Sequence, residues 1–167
     1  MNIKFAKLKE CAKIPSKRDE DAGMDVYACF DEQYEIIWPH TTKIIKTGIA
    51  SVIENGYFVK LSERGSTGTK GMAQRCGVID SGYRGEWGVP ITNVNSVPLV
   101  ICKNDNETIN SVKTTFNNEA IIYPYEKAIC QAIVLPSPKV DVEEINKEEL
   151  DNYISERGAG ALGSSGK

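Results

Sequence analysis

The sequence predicts an all-β domain, a sandwich or a barrel, with one short helix near its end and a glycine-rich tail. Three observations carry this. Short segments rich in β-branched and aromatic residues recur along most of the 167-residue chain. Glycine and proline punctuate them at a spacing typical of sandwich or barrel strands. Only one stretch has the apolar spacing of an amphipathic helix.

Residues 3–8 and 24–30 read as strands, the second alternating apolar with other side chains. Further strands fall at 34–38, 43–53 and 57–61; Pro39 breaks the run after the first, and Glu54-Asn55-Gly56 makes a turn before the last. The series continues at 87–94, 97–102, 119–123 and 128–135. Residues 142–154 read as a helix or a short turn, with Val142, Ile145, Leu150 and Ile154 roughly on one face and acids near the start. Residues 104–118 are polar, rich in Asn and Thr, and lie between two strands, which predicts an exposed excursion or hairpin within one domain. The last eleven residues, 157–167, are mostly Gly, Ala and Ser and cannot pack a core alone, so by themselves they read as a frayed end.

With 41% hydrophobic and 26% charged residues, the chain fits one globular domain. A net charge of −3 gives no electrostatic reason to expect a nucleic-acid backbone as partner. The N-terminus is charged throughout and lacks the apolar stretch of a signal peptide, and no run of about 18 apolar residues predicts a membrane span. The five cysteines, Cys11, Cys29, Cys76, Cys102 and Cys130, are odd in number and contain no C-x-x-C pair. They argue against a disulfide framework and a cysteine zinc site, and for a reducing cytoplasm. The single histidine, His40, follows Trp38-Pro39 in a turn and reads as an exposed bystander. Catalysis is therefore expected from carboxylates and metal.

Three glycine-rich segments can carry chemistry. Residues 62–71 combine glycines, hydroxyls, Arg64 and Lys70; consecutive backbone N–H groups there can cradle an anion, although the Walker spacing is absent. Residues 77–87 look like a hairpin whose turn holds Asp80, a possible general base, and Tyr83, a ring able to cover a sugar or base. Alternatively Asp80 caps its own turn and Tyr83 covers the sheet. Residues 157–166 offer Arg157 for bidentate phosphate contact, followed by N–H and hydroxyl groups on an arm able to close as a lid.

Taken in order, these segments resemble the trimeric dUTP pyrophosphatase (dUTPase) family across nearly the whole chain. The first family motif, A-G-x-D-L-x-A, appears as Ala22-Gly23-Met24-Asp25-Val26-Tyr27-Ala28. The second is Arg64-Gly65-Ser66-Thr67-Gly68, and the third, best matched, runs from Gly77 to Glu86. The fourth is Ile129-Cys130-Gln131-Ala132 and the fifth is the arm beginning at Arg157.

The resemblance implies a jelly-roll, β-barrel-like domain over 1–155, an inserted hairpin or loop near 103–118, and an active-site arm over 156–167. It implies hydrolysis of dUTP to dUMP and pyrophosphate with Mg2+, which limits uracil in DNA and supplies dUMP for thymidylate synthesis. Asp80 would activate the water that attacks the α-phosphorus, and Tyr83 would exclude a 2′-hydroxyl. Val78, Ile79, Gly88 and Gln74 would meet the uracil. Arg64, Gly65, Ser66, Gln131, Arg157, Gly163, Ser164 and Ser165 would hold the triphosphate, with Leu162 at the position usually taken by a stacking aromatic. Asp25 would act on the metal through water or hold Arg157. The implied assembly is a cytoplasmic homotrimer with shared sites.

The chain departs from the family pattern at Gly65 (commonly Ser), Gly82 (commonly Asp), Leu162 (commonly aromatic) and Ala128 (commonly Arg), and in its longer stretch from Asp80 to Gln131. Two alternatives accompany this reading: a dCTP deaminase-related enzyme, and a nucleotide-gated interaction protein that holds a partner through the 103–118 insertion.

Overall fold

The computed structural model describes residues 1–75 and 77–159. Its first half contains β1 (Ile3–Lys7), β2 (Met24–Tyr27), β3 (Tyr34–Ile37), β4 (Thr42–Lys46), β5 (Ile49–Ile53) and β6 (Tyr57–Ser62). The strand expected over 43–53 is two strands, divided at Gly48. That glycine is left-handed, with φ of 65°, and a Cβ on it would lie 2.7 Å from Cys29 Sγ. Then follow α1 (Gly65–Gly68), β7 (Met72–Gln74), β8 (Val78–Ile79), β9 (Gly88–Asn93), β10 (Leu99–Cys102), α2 (Asn106–Thr115), β11 (Ile121–Pro124), β12 (Ala128–Pro136) and α3 (Lys147–Asp151).

The strands form four small sheets of order β1-β5, β11-β10-β3, β2-β12-β6-β8 and β4-β9-β7. This is the layered, jelly-roll-like all-β architecture expected, and none of the four sheets closes into a barrel. One core joins them, with Trp87, Ile37, Leu61, Met72, Ile91, Leu99 and Val59 fully buried. Trp87 is fixed on several sides: its indole N–H donates to Ser51 Oγ (3.1 Å), its carbonyl accepts from Thr47 Oγ1 (2.6 Å), and its ring meets Phe5 edge-on.

Four expectations are corrected. Residues 77–87 are not a two-stranded hairpin: β8 pairs with β6, whereas β9 pairs with β4 and β7, so the intervening turn passes from one sheet to another. The 104–118 segment is neither a hairpin nor a loose excursion. Strands β10 and β11 run parallel, a two-residue turn cannot join parallel neighbours, and helix α2 supplies the crossover. Asp105 caps α2 by accepting from Thr108 N at 2.7 Å, and Val112 is buried with Val100 and Cys102 in a second small cluster. The helix expected over 142–154 shrinks to α3, and Val142 and Ile154 are 93% and 96% exposed. Finally, Cys11 and Cys29 are joined by a disulfide, with Cα atoms 6.1 Å apart. Cys102 and Cys130 are free and buried, and Cys76 lies outside the described residues.

Candidate active site

The larger of two relevant clefts, about 890 Å³, is built on the register of one sheet. Gln131 of β12 lies opposite Asp25 of β2 on one side and Ser62 of β6 on the other, so three strands bring residues distant in sequence into one row. Gly23 permits this row to close: a Cβ there would come within 2.7 Å of Gln131 Oε1. The Gln131 amide donates to the Glu63 carbonyl at 2.8 Å.

Arg64 ends this row as the N-cap of α1. Its backbone N–H donates to Thr67 Oγ1 (3.0 Å), and the fully buried Thr67 donates back to the Arg64 carbonyl (2.9 Å). The backbone at Arg64 is thereby fixed. Its guanidinium is fixed separately: Nε lies 2.9 Å from Asp25 Oδ1, Nη2 lies 3.2 Å from Asp25 Oδ2, and Nη1 donates to Ser66 Oγ and to the Ala128 carbonyl. Asp25 therefore grips Arg64; the sequence expectation set it on the metal through water or on Arg157. Burial beneath this pair pushes the Cys130 thiol up to about 12 and the Tyr123 hydroxyl above its ordinary range.

The remaining wall is the loop before β2, with Ser16, Lys17, Arg18 and Asp21 facing the cleft. Arg18 binds Asp21 through Nε (2.9 Å) and Nη2 (3.0 Å), and these hydrogen bonds hold the Asp21 carboxyl below its ordinary range. Sequence reading missed all four; their only signal was their place immediately ahead of Ala22-Gly23.

The smaller cleft, about 240 Å³, collects Val78, Ile79, Asp80, Tyr83, Glu86 and Gly88. Gly77, at φ 117°, brings the chain against β6; a Cβ there would lie 2.9 Å from the Leu61 carbonyl. The turn closes by Tyr83 N–H donating to the Asp80 carbonyl at 3.1 Å. The Tyr83 hydroxyl donates to the Glu86 carbonyl at 3.0 Å, its ring lies against Gly85, and the side chain stays 45% exposed. Glu86, another residue sequence reading missed, accepts from Gly48 N–H at 2.9 Å and pairs with Lys46 at 3.1 Å. Asp80 is exposed at the mouth. Gln74 begins behind Gly77, and both polar atoms of its side-chain amide are buried with no protein partner.

The structure thus brings Asp25, Arg64, Gly65, Ser66 and Gln131 into one cleft and Val78, Ile79, Asp80, Tyr83 and Gly88 into another; the two share no lining residue. Arg157 lines neither cleft, while Leu162, Gly163, Ser164 and Ser165 lie outside the described residues. His40 is exposed in a left-handed turn, as expected of a bystander. The described residues contain no cluster of three or more His, Cys, Asp or Glu side chains able to cage a metal ion.

Comparison with known proteins bears on the family and the fold. A family model described as dUTPase matches residues 9–106. The deoxyuridine 5'-triphosphate nucleotidohydrolase of Nautilia profundicola is 35% identical over the full length of both chains. The enzyme of the same name from fowlpox virus is 33% identical, covering 96% of this chain and 94% of its own. Among solved structures, the Staphylococcus bacteriophage 80alpha dUTPase with dUPNHPP superposes with a TM-score of 0.74, 22% identity and 99% coverage of each chain. A mutant dUTPase from phage phi11 of S. aureus, solved to show the coordination of a structural Mg(II) ion, has a TM-score of 0.67 and 19% identity, covering 89% of this chain and 99% of that one. At these identities the two structures speak for the fold alone.

Proposed function

The chain belongs to the dUTPase family and is a dUTP diphosphatase, and from that premise we propose that one site built from both clefts converts dUTP to dUMP and pyrophosphate. The observation that carries the reading is the row Asp25–Arg64–Gln131, a preset guanidinium beside an amide in a cleft roomy enough for a triphosphate. A guanidinium already held by a carboxylate loses little freedom when it meets a phosphate. Arg64, the N–H groups of Gly65 and Ser66, and Gln131 take the phosphates. Arg157, Gly163, Ser164 and Ser165 of the arm complete their cover, with Leu162 against the base.

Asp80 takes a proton from water as the water oxygen bonds to the α-phosphorus; the bond from that phosphorus to the α–β bridging oxygen breaks and pyrophosphate leaves. The Tyr83 ring, exposed over Gly85, packs against deoxyribose and leaves no space for a 2′-hydroxyl. Uracil lies along β8. That strand ends its sheet, so one edge of Val78 and Ile79 has backbone N–H and C=O groups not taken by a neighbouring strand. Gly88 and the unpaired amide of Gln74 add to the same recognition.

The donors suit Mg2+ held chiefly by phosphate oxygens and water. Asp25, with both oxygens already engaged by Arg64, is placed to contact such an ion through water and not to cage it. When bound, the ion neutralises charge developing on the phosphates.

The assembly proposed is a homotrimer with shared sites. The separation of the two clefts supports it, as do Val140, Val142, Leu150, Tyr153 and Ile154, all exposed in the stretch after β12. In the same reading, residues 1–155 form the body and 156–167 the active-site arm. No helix among the described residues is long and apolar enough to cross a membrane, and we place the enzyme in the cytoplasm. A protein partner at 103–118 would have to use the outer face of α2, since Val112 faces inward.

The test is pyrophosphate release with Mg2+ over dUTP, dCTP, dTTP and UTP. Turnover confined to dUTP is expected; ammonia release from dCTP would favour a deaminase instead.

A further inference from the structure

The Cys11–Cys29 disulfide spans 18 residues, and the loop it closes carries most of the wall of the larger cleft, including Lys17, Arg18, Asp21, Gly23 and Asp25. Apart from Lys13, whose ammonium meets the Glu126 carbonyl and the Tyr27 ring, few contacts hold that loop. Between Cys11 and Ala22 only Ala12 and Pro15 are buried, and the backbone is tied to the sheet by Asp25 N–H donating to the Ser16 carbonyl. A segment with few buried contacts opens readily unless a covalent link restrains it.

The two sulfurs are differently placed. Cys29 is fully buried two residues past β2, under Gly48, whose N–H is held by Glu86 of the smaller cleft. Cys11 is exposed in a surface recess with Lys9, Glu10 and Asp31. An incoming thiolate can reach Cys11 and not Cys29, so access decides which sulfur is attacked; Lys9 in the recess is paired with Asp31 at 2.6 Å.

We propose that Cys11–Cys29 is a thiol-exchange site, opened at Cys11 by low-molecular-weight thiols, and that opening it loosens the wall of the phosphate cleft. The inference rests on reading that cleft as the phosphate site. A thiolate attacks Cys11 Sγ, the protein disulfide breaks, and Cys29 leaves as a thiolate that takes up a proton. A second thiolate attacks the reagent sulfur of the mixed disulfide, giving the reagent's own disulfide and the Cys11 thiol. Two thiols are oxidised and the protein disulfide is reduced. Among intracellular proteins such bonds are chiefly transient and redox-sensing ones.

The test uses the whole chain, with and without dithiothreitol, and reads three quantities: alkylation of Cys11 and Cys29 by mass spectrometry, hydrogen exchange across residues 12–24, and KM for dUTP. Reduction is expected to make Cys11 alkylatable and to raise exchange in 12–24 by about 10-fold. It should also raise KM by about 3- to 10-fold, the effect of lowering the binding-competent fraction to between a third and a tenth. Glutathione disulfide should reverse all three. Cys11→Ser, which leaves Cys29 in place, should match reduced protein regardless of dithiothreitol; if that variant does not fold, the wild-type comparison decides alone. Alkylation of Cys11 in untreated, air-oxidised protein would overturn the proposal, as would unchanged exchange on reduction. Faster exchange with an unmoved KM would overturn the coupling to the cleft. Absence of dUTP turnover in both redox states would count against the functional reading instead, and the exchange readout would still decide the thiol site.

Discussion

Asp25 holds Arg64 by both carboxylate oxygens, at 2.9 and 3.2 Å, although 39 residues separate them in the chain. Both side chains are about one-third exposed, so solvent screens the pair and its contribution to folding is small. Its effect belongs to the site. Asp25→Asn keeps the shape and removes the charge. It should lower kcat/KM for dUTP by roughly 5- to 30-fold, equivalent to about 1–2 kcal/mol, with the melting temperature nearly unmoved. Steady-state kinetics beside a thermal melt checks both halves.

Asp80 stands exposed at the mouth of the smaller cleft, with no cation bound to it among the described residues. Asp80→Asn should reduce kcat by roughly 100- to 10,000-fold while preserving affinity for a non-hydrolysable dUTP analogue. Normal turnover by this variant would remove Asp80 from the mechanism.

Tyr83 is held over Gly85 by its hydrogen bond to the Glu86 carbonyl. Truncation to Ala should narrow the preference for dUTP over UTP by roughly 10- to 100-fold, chiefly by letting UTP in. Phe should retain more of the preference because the ring remains. Competing the two nucleotides in a single assay measures the ratio directly.

Val112 anchors α2 under the sheet with no exposed surface, yet α2 lines neither cleft. Val112→Ala should cost about 2 kcal/mol in urea unfolding and leave kcat/KM within about twofold of wild type. An equal loss of activity would mean that the insertion communicates with the site.

Burial raises the Cys130 thiol to about 12 in the folded chain from an ordinary value of 9.0. The unfolded state therefore loses this proton first as pH rises, and stability declines from about pH 9 towards 12 by roughly 1.4 kcal/mol per pH unit. Below pH 9 this group changes nothing. Cys130→Ala should flatten the alkaline limb of an unfolding curve by one proton, and native Cys130 should resist maleimide.

Much of this molecule was legible in its residues. Runs of β-branched and aromatic residues, punctuated by glycine and proline, located nine strand segments, because such side chains suit a pleated, half-buried surface whatever lies across from it. The glycines at 23 and 77 were legible too, and each sits at a close approach that a larger residue would crowd. Strand partners were not. Nothing local distinguishes β8 and β9 as members of different sheets, or β10 and β11 as parallel, because pairing is chosen by the packing of the whole core. Helix α2 escaped notice for a related reason: its Asn and Thr residues are poor helix formers, and burial of Val112 with the Asp105 cap overcomes that weakness. The Asp25–Arg64 grip and the Cys11–Cys29 bond likewise depend on distance in space. The sequence by itself determined which groups were present and which segments were strands. Only the tertiary structure decided which groups meet, because the order β2-β12-β6 sets Asp25 and Gln131 beside the end of β6, from which Arg64 follows.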